Sequence, residues 1–481
     1  MRQNPETPLS HDKPATCVGL FGSFISRGWF NAEVRQIWSD AGTLQTWLDV
    51  EVALAEAQAE LELIPLEACR TIRAQADAQN FDLERLAQDI AFTGHQLVPV
   101  LRQFEELCGE PAAGYIHWGA TTQNIFETAQ SLQMGQTHRR MMRFLTEGID
   151  RLTVLAREHQ TTLQAGRTHG QHALPMTFGF KVAGWLDELD RDRRRLEQRF
   201  PSSFVASMGG AIGTFAAMGP KGPAVEQLMA RKLGLEPAGL PMRSSYDRVS
   251  DYVGSLGLLA GTTQKIAQDL YFLQRNEIGE VEEAFHLGKV GSSTMAQKRN
   301  PSLSSMVIAM ARQLRARVAL VQESMVRLDE GDCTANNVTD TVIPEVGVLT
   351  VGITEAFAKL VQGLLVHPGA MRRNAELTQG LIVSEAVMMS LTQFMGRHHA
   401  HQLVYGAAQR SISEGLSFLD AIREHPLLRS HGLPAGFEKT LAIDSYVGES
   451  VRLVDQVLAR LTADAWSQEG RADLIHCTVE L

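Results

Sequence analysis

The segment Leu287 to Pro301, LGKVGSSTMAQKRNP, carries the most concentrated chemistry in the chain. It places Gly288, Gly291, Ser292, Ser293, Lys298, Arg299 and Asn300 just ahead of an apolar run, Met306-Val-Ile-Ala-Met, that reads as helix. Glycines let a loop move and let its backbone approach a ligand closely. Ser302 stands where an N-cap belongs, and a helix N-terminus favours anions. Lys298 adds a point charge and Asn300 a neutral donor. Together these groups make a carboxylate site with a hydroxyl beside it. The same composition also fits a Gly/Ser-rich interdomain linker, because such clusters mark loops.

Two further segments carry polar groups. Gly166-Arg-Thr-His-Gly-Gln-His-Ala-Leu-Pro175 sets His169 and His172 beside Arg167 and Thr168. Metal ligation there would need an acidic partner, and none is close in sequence. A turn histidine often only satisfies backbone groups. Tyr115-Ile-His-Trp-Gly-Ala-Thr-Thr-Gln-Asn124 offers Thr121, Thr122 and Gln123, the hydroxyl and amide donors of a carboxylate pocket. His398-His399-Ala-His401 has the composition of a metal cluster, yet adjacent His398 and His399 point apart on a helix, so it reads as helix surface.

These segments need a frame, and periodicity supplies one. From Ser39 to Glu62, the residues Leu44, Trp47, Leu48, Val50, Ala53, Leu54 and Ala57 recur at helical spacing, and Ile64-Pro65 closes the run. Helical periodicity also runs over 125–160, 173–200, 248–286 and 302–327. These runs exceed the usual globular helix of about 8 to 20 residues and suggest a bundle. No β-rich run competes, so the expected fold is all-α. Breaks at Cys108–Gly114 and at His367-Pro-Gly369 divide it into a mobile tail (1–18), an N-terminal helical domain (19–112), a central helical bundle (113–366) and a C-terminal helical domain (367–481).

The 481 residues fit roughly three domains at about 150 residues each. Hydrophobic residues make up 44% and charged residues 21%, which excludes wholesale disorder. A net charge of -10 argues against a chain-wide reader of nucleic acid, while a local cationic pocket stays open. The five cysteines (Cys17, Cys69, Cys108, Cys333, Cys477) form no Cys-x-x-Cys and fit a reducing, cytoplasmic setting. No uninterrupted apolar stretch reaches membrane-spanning length, and MRQNPETPLSHDKPATC lacks an apolar signal core, so no membrane partner is expected.

GSSTMAQKRNP resembles the signature loop of the fumarase/aspartase superfamily, the class II fumarate lyases, whose pattern is Gly-Ser-Ser-x-Met-x-x-Lys-x-Asn-Pro. HWGATTQN and GRTHGQHALPMTFG resemble the other two signature regions, in the same order. The run from Phe21 to Pro65, with GLIVSEAVMM and AHQLV near the C-terminus, is most similar to the 3-carboxy-cis,cis-muconate cycloisomerase and adenylosuccinate lyase branches. Three ordered motifs set the linker reading aside. The resemblance implies β-elimination from a substituted succinate with release of fumarate, without metal or organic cofactor. It implies Ser292 as general base, acting as an alkoxide, and Lys298 and Asn300 as holders of the carboxylate that becomes the aci-carboxylate. Thr121, Thr122 and Gln123 would bind carboxylate oxygens, with Thr168 and Ser293 as further substrate-binding positions. His169 would stand on the leaving-group side, and His95, in TGHQLVP, would face the substrate. It further implies a homotetramer in which four central bundles pack together and each site draws its motifs from three subunits.

The chain departs from the pattern at four positions. Many members carry Glu five positions after the loop Asn, paired with the histidine, and here that residue is Ser305. Asn124 and Gln96 stand where acids are common, and Ala296 replaces a proline. Less negative charge then surrounds the ligand, and His169 lacks its usual carboxylate orienter. That matters little if the leaving group departs as an anion, as nitrite would from nitrosuccinate. Arg243-Ser-Ser-Tyr-Asp-Arg-Val-Ser-Asp251 lacks the Gln-Arg-Asp of the two nearest branches and looks more like argininosuccinate lyases, which disfavours a purine nucleotide and weakens the cycloisomerase reading. Three readings stand: a fumarate-releasing lyase, including C–N lyases such as a nitrosuccinate lyase; a muconate cycloisomerase; and a helical scaffold without activity. The presence of Ser292, Lys298 and Asn300 together argues against the last.

Overall fold

The computed structural model describes residues 21–475 except 24, 286–290 and 432–436. The expected tail 1–18 and Gly288 lie outside the described residues. The elements used below are α1 (Asp40–Glu60), α2 (Leu83–Thr93), α3 (Val98–Cys108), α4 (Thr122–Glu158), β1 (Leu163–Thr168), β2 (Gln171–Thr177), α5 (Phe178–Ser203), α6 (Asp247–Leu273), α7 (Ser302–Glu323), α8 (Cys333–Gln362), α9 (Pro368–Glu376) and α10 (Arg397–Glu414). The fold is all-α. Among the described residues strands occur as three two-stranded sheets, and only the β1–β2 pair exceeds two residues per strand.

The long helices follow the apolar periodicity. α1 starts where Ser39 Oγ accepts the Gly42 N–H at 3.1 Å, an N-cap. It buries Leu44, Leu48, Val50, Ala53, Leu54 and Ala57, which the sequence spacing picks out, on more than one side. α8 is long and apolar enough by composition to cross a membrane, but 78% of its most apolar stretch is buried inside the protein, as in a core helix.

The chain forms two compact units. One takes the described residues up to Phe144 with Arg194–Gly261 and Ala309–Ala356; the other takes Leu145–Arg193, Thr262–Ile308 and the residues from Phe357 on. In the first, Leu48, Leu54, Ile72, Phe104, Ile125 and Met229 centre one apolar core. The second holds a cluster around Val387, Leu391, Leu403 and Phe418, and a smaller one that seats the β1–β2 hairpin through Leu163 and Ala165 against Ala375 and Ile382.

Two helical expectations need correction. Residues 173–177 are strand, not helix: β2 pairs antiparallel with β1, and α5 begins only where Thr177 Oγ1 accepts the Phe180 N–H at 3.2 Å. α6 stops at Leu273, well before 286. Gly279 adopts φ 59°, the Glu280 N–H bonds back to the Leu273 carbonyl, and a short strand follows at Val281–Glu282.

The hairpin is welded to the end of α4 where β2 turns into α5. The Phe178 N–H donates to the Thr162 carbonyl and the Gly179 N–H to the His159 carbonyl, both at 2.8 Å. A Cβ on Gly179 would stand 2.6 Å from the Ala156 carbonyl oxygen and 2.7 Å from Gln160 Cα. Both neighbours are backbone and cannot give way. Gly179→Ala is therefore expected to cost about 1–3 kcal/mol, the range for overpacking, read as a lowered Tm in thermal denaturation. An unchanged Tm would show that this seam carries no close packing.

Candidate active site

In the first unit the chain reaches the Thr121 segment through His117, a non-glycine residue at φ 57°. The buried Glu51 on α1 holds it there: His117 Nδ1 pairs with one carboxylate oxygen at 2.6 Å, and the His117 N–H donates to the other at 3.2 Å. Asn124 then closes the first turn of α4. Its Oδ1 accepts the N–H groups of Thr121 and Gly210, both at 3.1 Å. The bond to Thr121 is the reach-back half of a capping box, so Asn124 shapes the turn that presents Thr121 and Thr122.

Gln123 is buried and largely committed. Its Nε2 donates to Glu127 at 2.9 Å and its Oε1 accepts from Asn336 Nδ2 at 2.7 Å, which leaves one amide hydrogen for a ligand. Behind it lies a group that sequence reading missed. The Arg327 side chain is 1% exposed. Its Nη1 donates to Asn336 Oδ1 and to the Arg243 carbonyl, its guanidinium lies 4.4 Å from the Tyr246 ring centre, and its Nη2 has no hydrogen-bond partner among the described residues. Glu127, the carboxylate beside it, is pushed up to about 6 by burial. A buried guanidinium with an unused donor, next to Gln123 and Asn336, offers an anion a charged partner. No local pattern marks Arg327, Asn336 or Glu127, because they meet only in the fold.

His95 follows Gly94, the left-handed C-cap of α2. Its Nδ1 accepts the N–H groups of Leu97 and Val98 at 3.2 Å. With Nδ1 the acceptor, a neutral ring carries its proton on Nε2 and presents a donor. Gln96, next to it, bonds Asp340, whose carboxyl is raised by burial. Both line a cavity of about 580 Å³ with Trp38, Trp47, Phe126 and Asp40. The described residues lining it include no Lys, Arg or His, so this cavity does not suit a dicarboxylate.

In the second unit His169 and Gly170 form the two-residue loop of the hairpin, at φ 52° and 77°, between the paired Thr168 and Gln171. Positive φ at both positions is the type I′ requirement, and it sets His169 at the exposed tip. Arg167, below it, forks onto the buried Glu280. His172, across the ladder from Arg167, is lowered by burial and then by the Arg167 charge.

The Ser292 loop folds back on itself. Asn300 Nδ2 donates to the Gly291 carbonyl at 2.5 Å, and Ser292 Oγ accepts the N–H groups of Met295 at 3.0 Å and Thr294 at 3.3 Å. Donors aimed at a hydroxyl oxygen favour its charged form, which is what a serine base needs. Ser293, Lys298 and Asn300 are exposed. The expected Ser302 cap is corrected: the α7 N-terminus is capped by Glu283, which accepts the N–H groups of Leu303 (2.9 Å) and Ser304 (2.8 Å) and the Ser304 hydroxyl (2.6 Å), so those amides already hold an anion. Ser305 bonds the Pro301 carbonyl. His398, His399 and His401 stand exposed on α10.

A Cβ on Gly291 would stand 2.2 Å from the Lys298 carbonyl oxygen and 3.3 Å from Arg299 Cα. Gly291→Ala must therefore open the loop. A displacement of about 1 Å at a reacting group costs about 100-fold in rate, so turnover is expected to fall by about that factor while Tm hardly moves, since the loop is exposed. Unimpaired turnover in steady-state kinetics would separate this loop from catalysis.

Residues 30–316 match the Lyase family, and residues 380–457 match the adenylosuccinate lyase C-terminus. The N-acetyl-S-(2-succino)cysteine lyase of Dickeya dadantii is 36% identical over 434 residues, covering 90% of this chain and 95% of that protein. The adenylosuccinate lyase of Methanocaldococcus jannaschii is 36% identical over 432 residues, 89% of this chain and 94% of the relative. Among solved structures, a fumarate lyase from Mesorhizobium sp. BNC1 superposes with TM-score 0.83 at 33% identity, covering 90% of this chain and 98% of that one. The β-carboxy-cis,cis-muconate cycloisomerase of Acinetobacter calcoaceticus sp. ADP1 gives TM-score 0.83 at 30% identity, with the same coverage. The chain belongs to the fumarase/aspartase superfamily and is an elimination lyase of that family.

Proposed function

We propose that the protein is a cofactor-independent lyase that releases fumarate from a succinyl thioether by anti β-elimination. Ser292 takes the proton from the carbon next to a carboxylate, and the resulting aci-carboxylate is held by Lys298 and Asn300. Thr121, Thr122, Gln123 and the Nε2–H of His95 receive carboxylate oxygens, with Thr168 and Ser293 beside them. The carbon–sulfur bond then breaks, its electron pair leaves with sulfur, and the double bond of fumarate forms. The observation that carries this reading is the pair of backbone N–H groups on Ser292 Oγ. A proton beside a carboxylate is very weakly acidic, so both the base and the developing dianion need preorganised donors, each worth about 3 kcal/mol.

The leaving group follows from Ser305. With a serine where a carboxylate would orient His169, the site is poorly equipped to deliver a proton. A thiol of pKa about 8.5 departs as thiolate with little help, whereas an amine must be protonated. The similarity to an N-acetyl-S-(2-succino)cysteine lyase supports that class of substrate. The Arg243–Asp251 run argues against the nucleotide of adenylosuccinate. The three-domain division, the homotetramer and a cytoplasmic setting belong to the same proposal; the exposure of Thr168, His169, Lys298 and Asn300 supports sites completed between subunits.

The reading is tested by following fumarate in the ultraviolet across N-acetyl-S-(2-succino)cysteine, adenylosuccinate, aspartate, nitrosuccinate and 3-carboxymuconate. The thioether is expected to give the highest kcat/KM. Consumption of the muconate without fumarate release from any succinyl compound would identify a cycloisomerase instead, and inertness toward all five would favour a scaffold. His169→Ala is expected to cost less on the thioether than on a succinyl-amine; equal losses would remove the leaving-group argument.

Shared sites make complementation possible. Mixing His169→Ala with Ser292→Ala subunits, by denaturing and refolding together, and assaying a succinyl-amine, on which both variants are expected to be inactive, leaves each site both intact groups with a chance of about one half each. About a quarter of sites then recover in a closed symmetric oligomer. No recovery despite proven subunit mixing would mean that each site lies within one chain.

A further inference from the structure

We propose that Glu280 is a positioning residue for His169, acting through Arg167 to fix the tip of the β1–β2 hairpin. The proposal rests on the reading of His169 as the leaving-group-side residue. His169 is exposed at a tight turn, so its ring goes where the turn goes. The ladder beneath that turn is weak. Only Arg167↔His172 and Thr168↔Gln171 pair above an irregularity between Ala165 and Arg167, and the remaining pairs lie below it. At the irregularity sits Gly166, where a Cβ would meet the Leu174 carbonyl oxygen at 2.9 Å. A two-pair ladder above a bulge is free to shear, and a short hairpin in water is marginal.

Glu280 blocks that shear. It is fully buried, and its carboxylate takes four hydrogen bonds. One oxygen accepts Gln164 Nε2 at 2.6 Å and Arg167 Nη1 at 3.2 Å; the other accepts Arg167 Nη2 and, at 2.9 Å, Asn374 Nδ2. Gln164 lies below the irregularity and Arg167 above it, so one carboxylate clamps both halves of the same strand. The clamp itself is fixed, because the Glu280 N–H bonds the Leu273 carbonyl, its carbonyl accepts the His367 N–H, and Asn374 comes from α9. All four acceptor sites of the carboxylate are used, so it faces no ligand and works only on the strand.

The variant is Glu280→Gln, which keeps the shape and loses both the charge and two acceptor sites. On a succinyl-amine, whose leaving group needs a proton, it is expected to lower kcat about 10- to 100-fold, the range for partners that orient a functional group, with KM within about twofold. In a His169→Ala background the same change is expected to cost less than about twofold, because the group being positioned is gone. Amide hydrogen exchange of the 163–177 peptide in the full protein should quicken in Glu280→Gln, whatever the substrate. Equal losses of kcat in both backgrounds, a rise in KM alone, or unchanged exchange in the hairpin would overturn the proposal. If His169→Ala is itself without effect, the reading of His169 fails, and the exchange measurement still decides whether Glu280 anchors the tip. Should Glu280→Gln not fold, Arg167→Lys, which keeps the charge but not the fork, is expected to show the same kcat loss and the same non-additivity.

Discussion

Buried carboxylates hold each of the three polar segments in place. Glu51 pins His117 at a left-handed turn ahead of Thr121. Glu280 forks onto Arg167 below His169. Glu283 caps the helix into which the Ser292 loop runs. Reactive groups on turns are only as well placed as the turns, and turns are the least rigid parts of a chain. A buried carboxylate that bonds backbone N–H groups or a guanidinium is costly to break, because the lost partner leaves a charge without solvent. These contacts turn loops into fixtures, and the long helices supply the walls against which they are fixed.

On that frame the residues of the proposed function fall in both units. The first presents neutral donors from Thr121, Thr122, Gln123 and His95, backed by the buried cation of Arg327. The second presents Ser292, with its oxygen already receiving two N–H groups, and His169 at a hairpin tip. Ser305, Asn124 and Gln96 stand where acids are common in the superfamily. Asn124 Oδ1 ties the Thr121 N–H at the start of α4 to the Gly210 N–H of a distant loop. Dicarboxylate chemistry gains from this neutrality, because each carboxylate removed from the surroundings is one fewer repulsion of the developing dianion.

Much of this was legible in the sequence. Apolar spacing marked α1, α4, α5, α6 and α7 but not α8 (Cys333–Gln362), and the three polar segments stand out by composition and order. The β1–β2 hairpin was hidden, because the residues from 173 on read as the start of a helix, although Gly170 marks the turn that His169 shares at positive φ. The end of α6 was hidden for a similar reason: helical periodicity continues past Leu273, and only the backbone contacts around Gly279 and Glu280 end it. Ser302 looked like a cap because the true one, Glu283, reaches in from outside the helix. Arg327, Asn336 and Glu127 belong to one network but are scattered over some two hundred residues, and no local pattern records such a meeting.

The central claim is that Ser292 removes the proton. The most direct measurement is the single-turnover rate of Ser292→Ala on the best substrate, alongside binding of that substrate by calorimetry. Loss of a general base typically costs about 100- to 10,000-fold. The account predicts a loss in that range with affinity nearly unchanged, because Lys298, Asn300 and the threonines still hold the carboxylates. A single-turnover rate close to that of the unaltered protein would contradict it and place the base elsewhere.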